Sequence, residues 1–482
     1  MLEILSHQYL KRFMKSHCIN WDHVYSFGRI ISKFIQTHET YLINSEIFTT
    51  NEWVSALLIS LFLNEEDSIL VLSEERIEFL EKNQLVHLKT LGFDYYFENN
   101  QIIFKKHRIS LITFKKFLDD FQTLNFQDYR IIFSEIEDFK QNLKNYFRIS
   151  LSKKDWMQDV KELKDVNQQI ISTYNLLKKK FFLRKSLGNR YLFLNRKEER
   201  FIAKFFFENS SFSHQFCKVS NALSQGWACW VQFDNTNFEW EFCLEPIDEL
   251  SLVTELITNN RFIFLSALRN DNFFQNYLKN HNLIIDLVIN FKSNFIEKEI
   301  LLYVPPKQIL PNNPHFTDVI LDKCNKLIIF RNGLTLVLSD DANLKINLAT
   351  ELASKYGKTV LLETIPSLNN EILCASYDWW IKNSYLIQIP KQIIIPLLPI
   401  PNISEPINFI TVSYNKKISR DWFREFFLPD AITKLDRSVS PLRRNSGKLI
   451  ILDGRANKRK WGRTLLQSIQ PTKKVNFMLP FD

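Results

Sequence analysis

The chain has 482 residues, of which 45% are hydrophobic and 24% charged, and it carries a formal net charge of +9 at pH 7. This is the balance of a soluble globular protein long enough for two or three domain cores. No apolar run reaches the length of a membrane helix and the six cysteines form no Cys-x-x-Cys pair, which points away from a membrane span, a disulfide framework and a metal site. The positive charge favours an anionic partner such as nucleic acid. An AT-rich coding composition, suggested by the abundance of Phe, Ile, Asn and Lys, would also raise it. The N-terminus lacks a signal-peptide core, so the cytoplasm is the expected location.

Residues 1–40 read as amphipathic helices. Tyr41–Asn44 (YLIN) is a short apolar strand, residues 49–63 have helical periodicity, and Ile69–Leu72 (ILVL) is a second strand followed by a helix from Glu74. Strand, turn, helix and strand make a βαβ unit, which predicts a parallel sheet. Arg130–Phe139 (RIIFSEIEDF) is the next strand with its acidic end. Residues 155–225 are helical and basic, with Lys178, Lys179, Lys180, Arg184, Lys185 and Arg190 close to Phe181, Phe182 and Tyr191. Two readings fit that pattern. Cations and rings can hold single-stranded nucleic acid, or the segment is a helical insertion with a solvated Lys face and Phe in its core. Trp227–Cys243 alternates as a β-hairpin with Asp234 and Asn235 in its turn, and Phe262–Leu268 (FIFLSAL) is a strand.

The prolines between Ser293 and Pro314 suggest an extended crossover between two domains. Gly333–Asp341 contains a strand, followed by a helix to Tyr356. The triplet Gly357-Lys358-Thr359 has a helix before it and a strand after it, the reverse of a phosphate loop, so Gly357 reads as a helix C-cap with Lys358 at the negative helix end. Leu435–Leu466 opens as a helix with Arg443 and Arg444 at its end, turns through Asn445-Ser446-Gly447 and continues as the strand KLIIL. Guanidinium groups beside a central strand are a common phosphate grip; a solvated basic C-terminus is the other reading. The nine glycines never cluster, so a Gly-rich nucleotide loop is absent from the sequence.

Taken in order, these segments resemble the motifs of the DinG/XPD-like (Rad3-related) superfamily 2 DNA helicases over roughly residues 40–470. The most specific pieces are SNFIEKEILLYVPPKQILPNNP, similar to the family's Tyr-Val-Pro run, IIIPLLPIPNISEPI, similar to its Leu-Pro segment, and the C-terminal helix and strand, similar to motif VI. NLKNYFRISLSKKDWMQDV also resembles divergent cyanobacterial members. The resemblance implies an α/β fold of two RecA-like parallel-sheet domains, residues 1–292 and 293–482, with a helical insertion at about 150–225 in the first.

It also implies a set of roles. Thr49, Thr50, Ser134 and Arg437 fall at the nucleotide, Glu135 where the family activates water, and Arg444 where it stabilises the γ-phosphate. Ser266-Ala267 stands for motif III, which couples the nucleotide site to the nucleic-acid path. Lys178, Lys179, Lys180, Arg184, Lys185, Ser376, Arg443 and Arg455 would meet nucleic acid. Departures accompany these matches. The Walker A turn reads Ser45 to Glu52 with no glycine or lysine, and Glu46 and Glu52 would repel a triphosphate. Ser134 replaces the metal-organising Asp, and the Gly-Arg step of motif VI reads Ser440-Pro441. Phosphoryl transfer depends on such electrostatic groups. The expectation is therefore a pseudo-helicase with weakened or lost ATPase, binding single-stranded DNA or other nucleic acid, with a protein partner as a further expectation and DNA repair as its setting. ATP and Mg²⁺ enter through the resemblance alone. No cysteine lies between Ser45 and Ser134, where XPD-type relatives hold an iron–sulfur cluster, so none is expected. An active helicase with a non-standard nucleotide site, or an interaction scaffold with no DNA role, are the alternatives.

Overall fold

Short apolar runs bounded by polar turns form most of the parallel strands. In the computed structural model, β1 (Tyr41–Asn44), β2 (Ser68–Val71), β3 (Tyr95–Glu98), β4 (Gln101–Phe104), β5 (His107–Ile112) and β6 (Arg130–Phe133) come first. They are followed by β7 (Ile149–Leu151), β8 (Tyr191–Phe193), β9 (Ala228–Asp234), β10 (Glu239–Glu245), β11 (Phe262–Ser266) and β12 (Leu287–Asn290). Then come β13 (Ile300–Tyr303), β14 (Thr335–Leu338), β15 (Val360–Leu362), β16 (Ile372–Ala375), β17 (Gln392–Ile395), β18 (Lys448–Ile451) and β19 (Thr472–Lys474). The structure describes residues 2–476 apart from 17–20, 22, 38, 65, 105–106, 122–125, 127–128, 159–163, 186–189, 212, 235–238, 270, 292–298, 330 and 369–370. Cys18, Asn235 of the expected hairpin turn and Ser293 lie outside the described residues.

The described residues divide into two compact units, one made of 1–137, 254–400 and 426–482 and the other of 138–253 and 401–425. Two sheets build the larger unit. The first has the order β12-β1-β11-β6-β2-β5-β4-β3, parallel from β12 to β5 and finished by the antiparallel strands β4 and β3. Tyr41 lies opposite both Ile263 and Leu287, so β1 is completed by strands more distant in sequence than any other in its sheet. The helix Val54–Leu63, which follows β1, is buried on nearly every residue, and Ser60 within it shares hydroxyl contacts of 3.1 Å with Ser6 and Ser32. The second sheet runs β15-β16-β14-β17-β18-β13-β19, parallel throughout. This is the expected pair of RecA-like α/β lobes.

One expectation is corrected. The chain does leave the first sheet after β12 and enter the second at β13, but the stretch before Pro305 is not an extended linker: Ile300, Leu302 and Tyr303 are buried, and β13 lies between β18 and β19 inside the second sheet. An apolar ILLY run gains more from burial between two helical layers than an extended linker would give it. Proline enters only past the strand end. Gly357 does cap the helix Ala342–Tyr356, with φ of +60°.

The smaller unit is not a helical bundle. The helices Lys153–Gln158, Lys164–Arg184, Arg196–Glu208 and His214–Ser224 share a core with an antiparallel sheet of order β7-β10-β9-β8. Trp156, Tyr174, Phe181, Phe206, Phe216 and Trp240 fill that core. Trp230 and Cys243 point to a second cluster, against Ile407 and Ile410 of the helix Pro406–Lys417.

At the C-terminal end of β18, a Cβ added to Gly454 would lie 2.5 Å from the carbonyl oxygen of Ile309. Overpacking of this kind costs about 1–3 kcal/mol. Gly454→Ala is therefore expected to lower the melting temperature of the chain by several degrees, measured by calorimetry; an unchanged transition would show that the Ile309 loop yields freely.

Candidate functional site

The turn after β1 is closed by its own side chains. Ser45 caps a 3₁₀ turn, Glu46–Thr49. The Thr49 hydroxyl donates to the Glu46 carbonyl at 2.7 Å and the Thr50 hydroxyl to the Ile47 carbonyl at 2.8 Å. Both threonines expected at a nucleotide are thus committed to the loop itself. A phosphate cradle needs converging N–H groups. Here Arg76, buried at the start of the helix after β2, donates to the carbonyl oxygens of Thr50 at 3.0 Å and Phe48 at 3.3 Å. Its guanidinium also pairs with Glu135 at 3.0 Å and lies 5.6 Å and 4.9 Å from the Trp53 and Tyr385 ring centroids. The loop presents lone pairs to a cation where a nucleotide-binding loop presents donors to an anion. Glu135 holds a φ of +55°, and its carboxylate reaches Arg76 rather than standing open for a water.

Glu46 is the centre of a second network. Its carboxylate pairs with Arg269, just past β11, and with Nε of Arg443 from the second lobe at 3.3 Å. Arg443 is fully buried, and its guanidinium donates to the carbonyls of Ile469 at 2.7 Å and Pro471 at 3.1 Å. The structure therefore places Arg443 inside the protein, not on a nucleic-acid surface. Asp436 is buried beside it. Burial and then the nearby Glu46 carboxylate raise the Asp436 carboxyl, while Arg269 and Arg443 oppose the shift.

A third group of charges joins the segment past β6 to the end of β11. The Ser266 hydroxyl donates to Glu137 at 2.7 Å, and the Ala267 N–H donates to the same oxygen. Arg437 of the second lobe stands 4.0 Å from the other oxygen. Asp271 lies 3.2 Å from the Ser266 hydroxyl and accepts the Phe274 N–H at 2.8 Å, capping the helix Asn272–Lys279. Ser134, the expected metal-shell position, donates instead to the Val71 carbonyl at 3.2 Å. Among the described residues no group of three or more His, Cys, Asp or Glu could hold a metal ion. The residues present do not fit ATP with Mg²⁺: the loop offers carbonyls, and the metal position is a hydroxyl bonded to the sheet. Arg444 is half-buried, and burial lowers it while Glu52 and Glu46 hold it up.

Most of the expected nucleic-acid residues have protein partners. Arg455 grips Asp453 through Nε and a terminal nitrogen at 2.9 Å and 2.7 Å. Ser376 donates to Glu363 at 2.7 Å and caps the helix Tyr377–Asn383. Lys178 pairs with Glu239 at 3.4 Å, Lys180 with Glu198 at 3.7 Å, and Arg184 with Glu198 as well. Lys185 lies 4.8 Å from the Phe233 ring centroid, Phe181 is core, and Lys179 is exposed. Sequence reasoning missed Arg76, Arg269, Asp271 and Asp436. Their neighbours are themselves charged or polar, Glu74, Glu75 and Glu78 around Arg76 and Lys434 and Arg437 around Asp436, so no local pattern marked them as buried.

No protein-family model and no curated protein matches the chain. Solved structures do. An XPD helicase superposes with a TM-score of 0.58 at 10% identity, covering 95% of this chain and 99% of that one. An XPD in its apo form gives 0.59 at 12% identity over 94% and 100%, and S. tokodaii Xpd4 gives 0.58 at 12% over 94% and 99%. The chain thus has the fold of these XPD helicases. Among the described residues no helix is long and apolar enough to cross a membrane.

Burial, then the neighbouring Glu137, raises the Asp271 carboxyl from its ordinary 3.8 to about 7. The folded carboxyl keeps its proton where the unfolded one has lost it. Its contribution to stability therefore falls as pH rises from about 4 to about 7, by at most about 1.4 kcal/mol per pH unit, and is level above. Asp271→Asn keeps an oxygen for the Phe274 N–H and cannot ionise. Its melting temperature relative to the native chain is expected to climb across that interval and then flatten; a pH-independent offset would show Asp271 ionised throughout.

Proposed function

We propose that the chain is a nucleic-acid-binding pseudo-helicase, built on an XPD-type core and lacking effective ATP turnover. The observation that carries this reading is Glu46. A carboxylate stands in the turn where the family grips phosphate, and it is paired with Arg269 and with Arg443 of the other lobe. Arginines of the cleft thus have a protein carboxylate to neutralise them. A triphosphate entering here would have to displace that carboxylate and meet the carbonyls that face Arg76. Electrostatic stabilisation is the main contribution a protein makes to phosphoryl transfer, and here its elements face each other. Glu135, spent on Arg76, is not positioned to activate water.

The nucleic-acid part of the reading rests on the fold and on the net charge of +9. Contacts from Lys and Arg to a phosphate backbone dominate such affinity and release counterions. A labelled single-stranded oligonucleotide is expected to bind in fluorescence anisotropy at about 50 mM salt and at least about tenfold more weakly at about 200 mM. Absence of binding at both would favour a scaffold with no DNA role. In a phosphate-release assay with single-stranded DNA, the native chain and Glu135→Gln are both expected to stay at background. Turnover in the native chain that vanishes in the variant would establish an active helicase with an unusual nucleotide site.

A further inference from the structure

The seam between the two lobes of the larger unit gathers more negative charge than positive. From the first lobe come the carboxyls of Glu46, Glu52, Glu137 and Asp271, and from the second that of Asp436 on the helix Leu428–Val439. The guanidiniums that face them are Arg269 of the first lobe and Arg437, Arg443 and Arg444 of the second. Arg76 and Glu135, against Tyr385, balance each other and leave the excess unchanged. Five carboxyls thus share four cations. A guanidinium keeps its charge at any ordinary pH, whereas a buried carboxyl in surplus sheds its charge by taking up a proton.

Asp271 and Asp436 are the members that fit a held proton. Asp271 is buried beside the Ser266 hydroxyl and the Phe274 N–H. Glu137 of its own lobe pushes its carboxyl up, and Arg437 of the other lobe opposes. Asp436 is buried as well, and its Oδ1 has no hydrogen-bond partner among the described residues. An ionised oxygen left unpaired inside a protein is costly, and a protonated carboxyl is much less so. Burial and then Glu46 raise the Asp436 carboxyl, Glu137 adds to the shift, and Arg269 and Arg443 oppose it. Glu46, Glu137 and Arg269 belong to the opposite lobe from Asp436. Both aspartates therefore sense, across the seam, whether the lobes are together.

We propose that the seam is a proton-operated latch, in which the lobes stay together while Asp271 and Asp436 carry protons and part when those protons leave. A parted seam returns both carboxyls to water and to the ordinary carboxylate range, so the parted form holds fewer protons than the closed one. Rising pH therefore favours parting wherever the closed form is still protonated and the parted form is not. For Asp271 that interval runs from about 4 to about 7. The balance shifts by about tenfold per pH unit for each carboxyl that takes part. Above the interval both forms are ionised and the balance is level. The latch goes beyond the pseudo-helicase reading and does not depend on it, since neither nucleotide nor nucleic acid takes part.

Energy transfer between two pH-insensitive dyes tests it. They are carried on azidophenylalanine in the full chain, in place of the exposed Lys115 of the first lobe and the exposed Lys355 of the second. In the otherwise native chain the transfer efficiency is expected to change as pH rises from about 5 to about 7 and to hold level above. With both Asp271→Asn and Asp436→Asn, which keep the side-chain shape but cannot ionise, it is expected to stay at its low-pH value throughout. Melting curves report whether each variant is folded. If Asp436→Asn is not, Asp271→Asn alone is expected to make the pH dependence about tenfold per pH unit shallower. Constant transfer in the native chain overturns the latch. So does the full native pH response in a folded variant, or a response that comes with loss of the helical circular dichroism, which would be unfolding. Phosphate release and oligonucleotide binding are measured separately, so the latch and the pseudo-helicase reading fail separately.

Discussion

A single buried carboxylate, Glu46, governs the cleft. Taking it out of water costs several kcal/mol, which is offset only if cations with good geometry accompany it. Arg269 comes from the end of β11 in the same lobe, and Arg443 comes from the far lobe, held there by the carbonyls of Ile469 and Pro471. Each partner is fixed by backbone contacts, so the pairing fixes the separation of two sheets and not just two side chains. Removing one partner of such a set leaves an uncompensated buried charge, a loss of about 3–5 kcal/mol.

Arg76 makes the matching arrangement on the other side of the loop. It binds two carbonyls, Glu135 and two aromatic rings, so the turn after β1 is held from both flanks by positive charge. In an ATP-driven motor the lobes are drawn together by a ligand that arrives and leaves. Here the groups that draw them together belong to the chain, and the Ser266–Glu137–Arg437 link closes the same gap one strand further along.

Much of the fold was legible in the sequence because the parallel strands are short apolar runs with turn residues at each end. YLIN, ILVL, RIIF and KLII are strands in the structure within a residue or so of where the pattern puts them. ILLY before Pro305 was misread because proline drew attention from the buried run preceding it. The antiparallel strands Tyr95–Glu98 and Gln101–Phe104 were unread, their alternation weak and their surroundings mixed. In the smaller unit the helices were visible, whereas β8 and β7 are three-residue strands too short to carry a period. The cleft was half legible. Loss of glycine and lysine after β1 could be read directly, but the replacement could not. Glu46 and Arg443, or Glu135 and Arg76, meet only through the tertiary fold, and no spacing announces them.

The strand order has a consequence for biosynthesis. β1 emerges early from the ribosome, but its two neighbours in the sheet, β11 and β12, are made only after the whole 138–253 segment. Until then its apolar edges have nothing to pair with. Such a nascent chain exposes unpaired edge to aggregation, and its first lobe closes late, when residue 290 is free of the exit tunnel. The smaller unit is delayed further, since Ile407 and Ile410, which cover one face of its sheet, are translated after most of the second lobe.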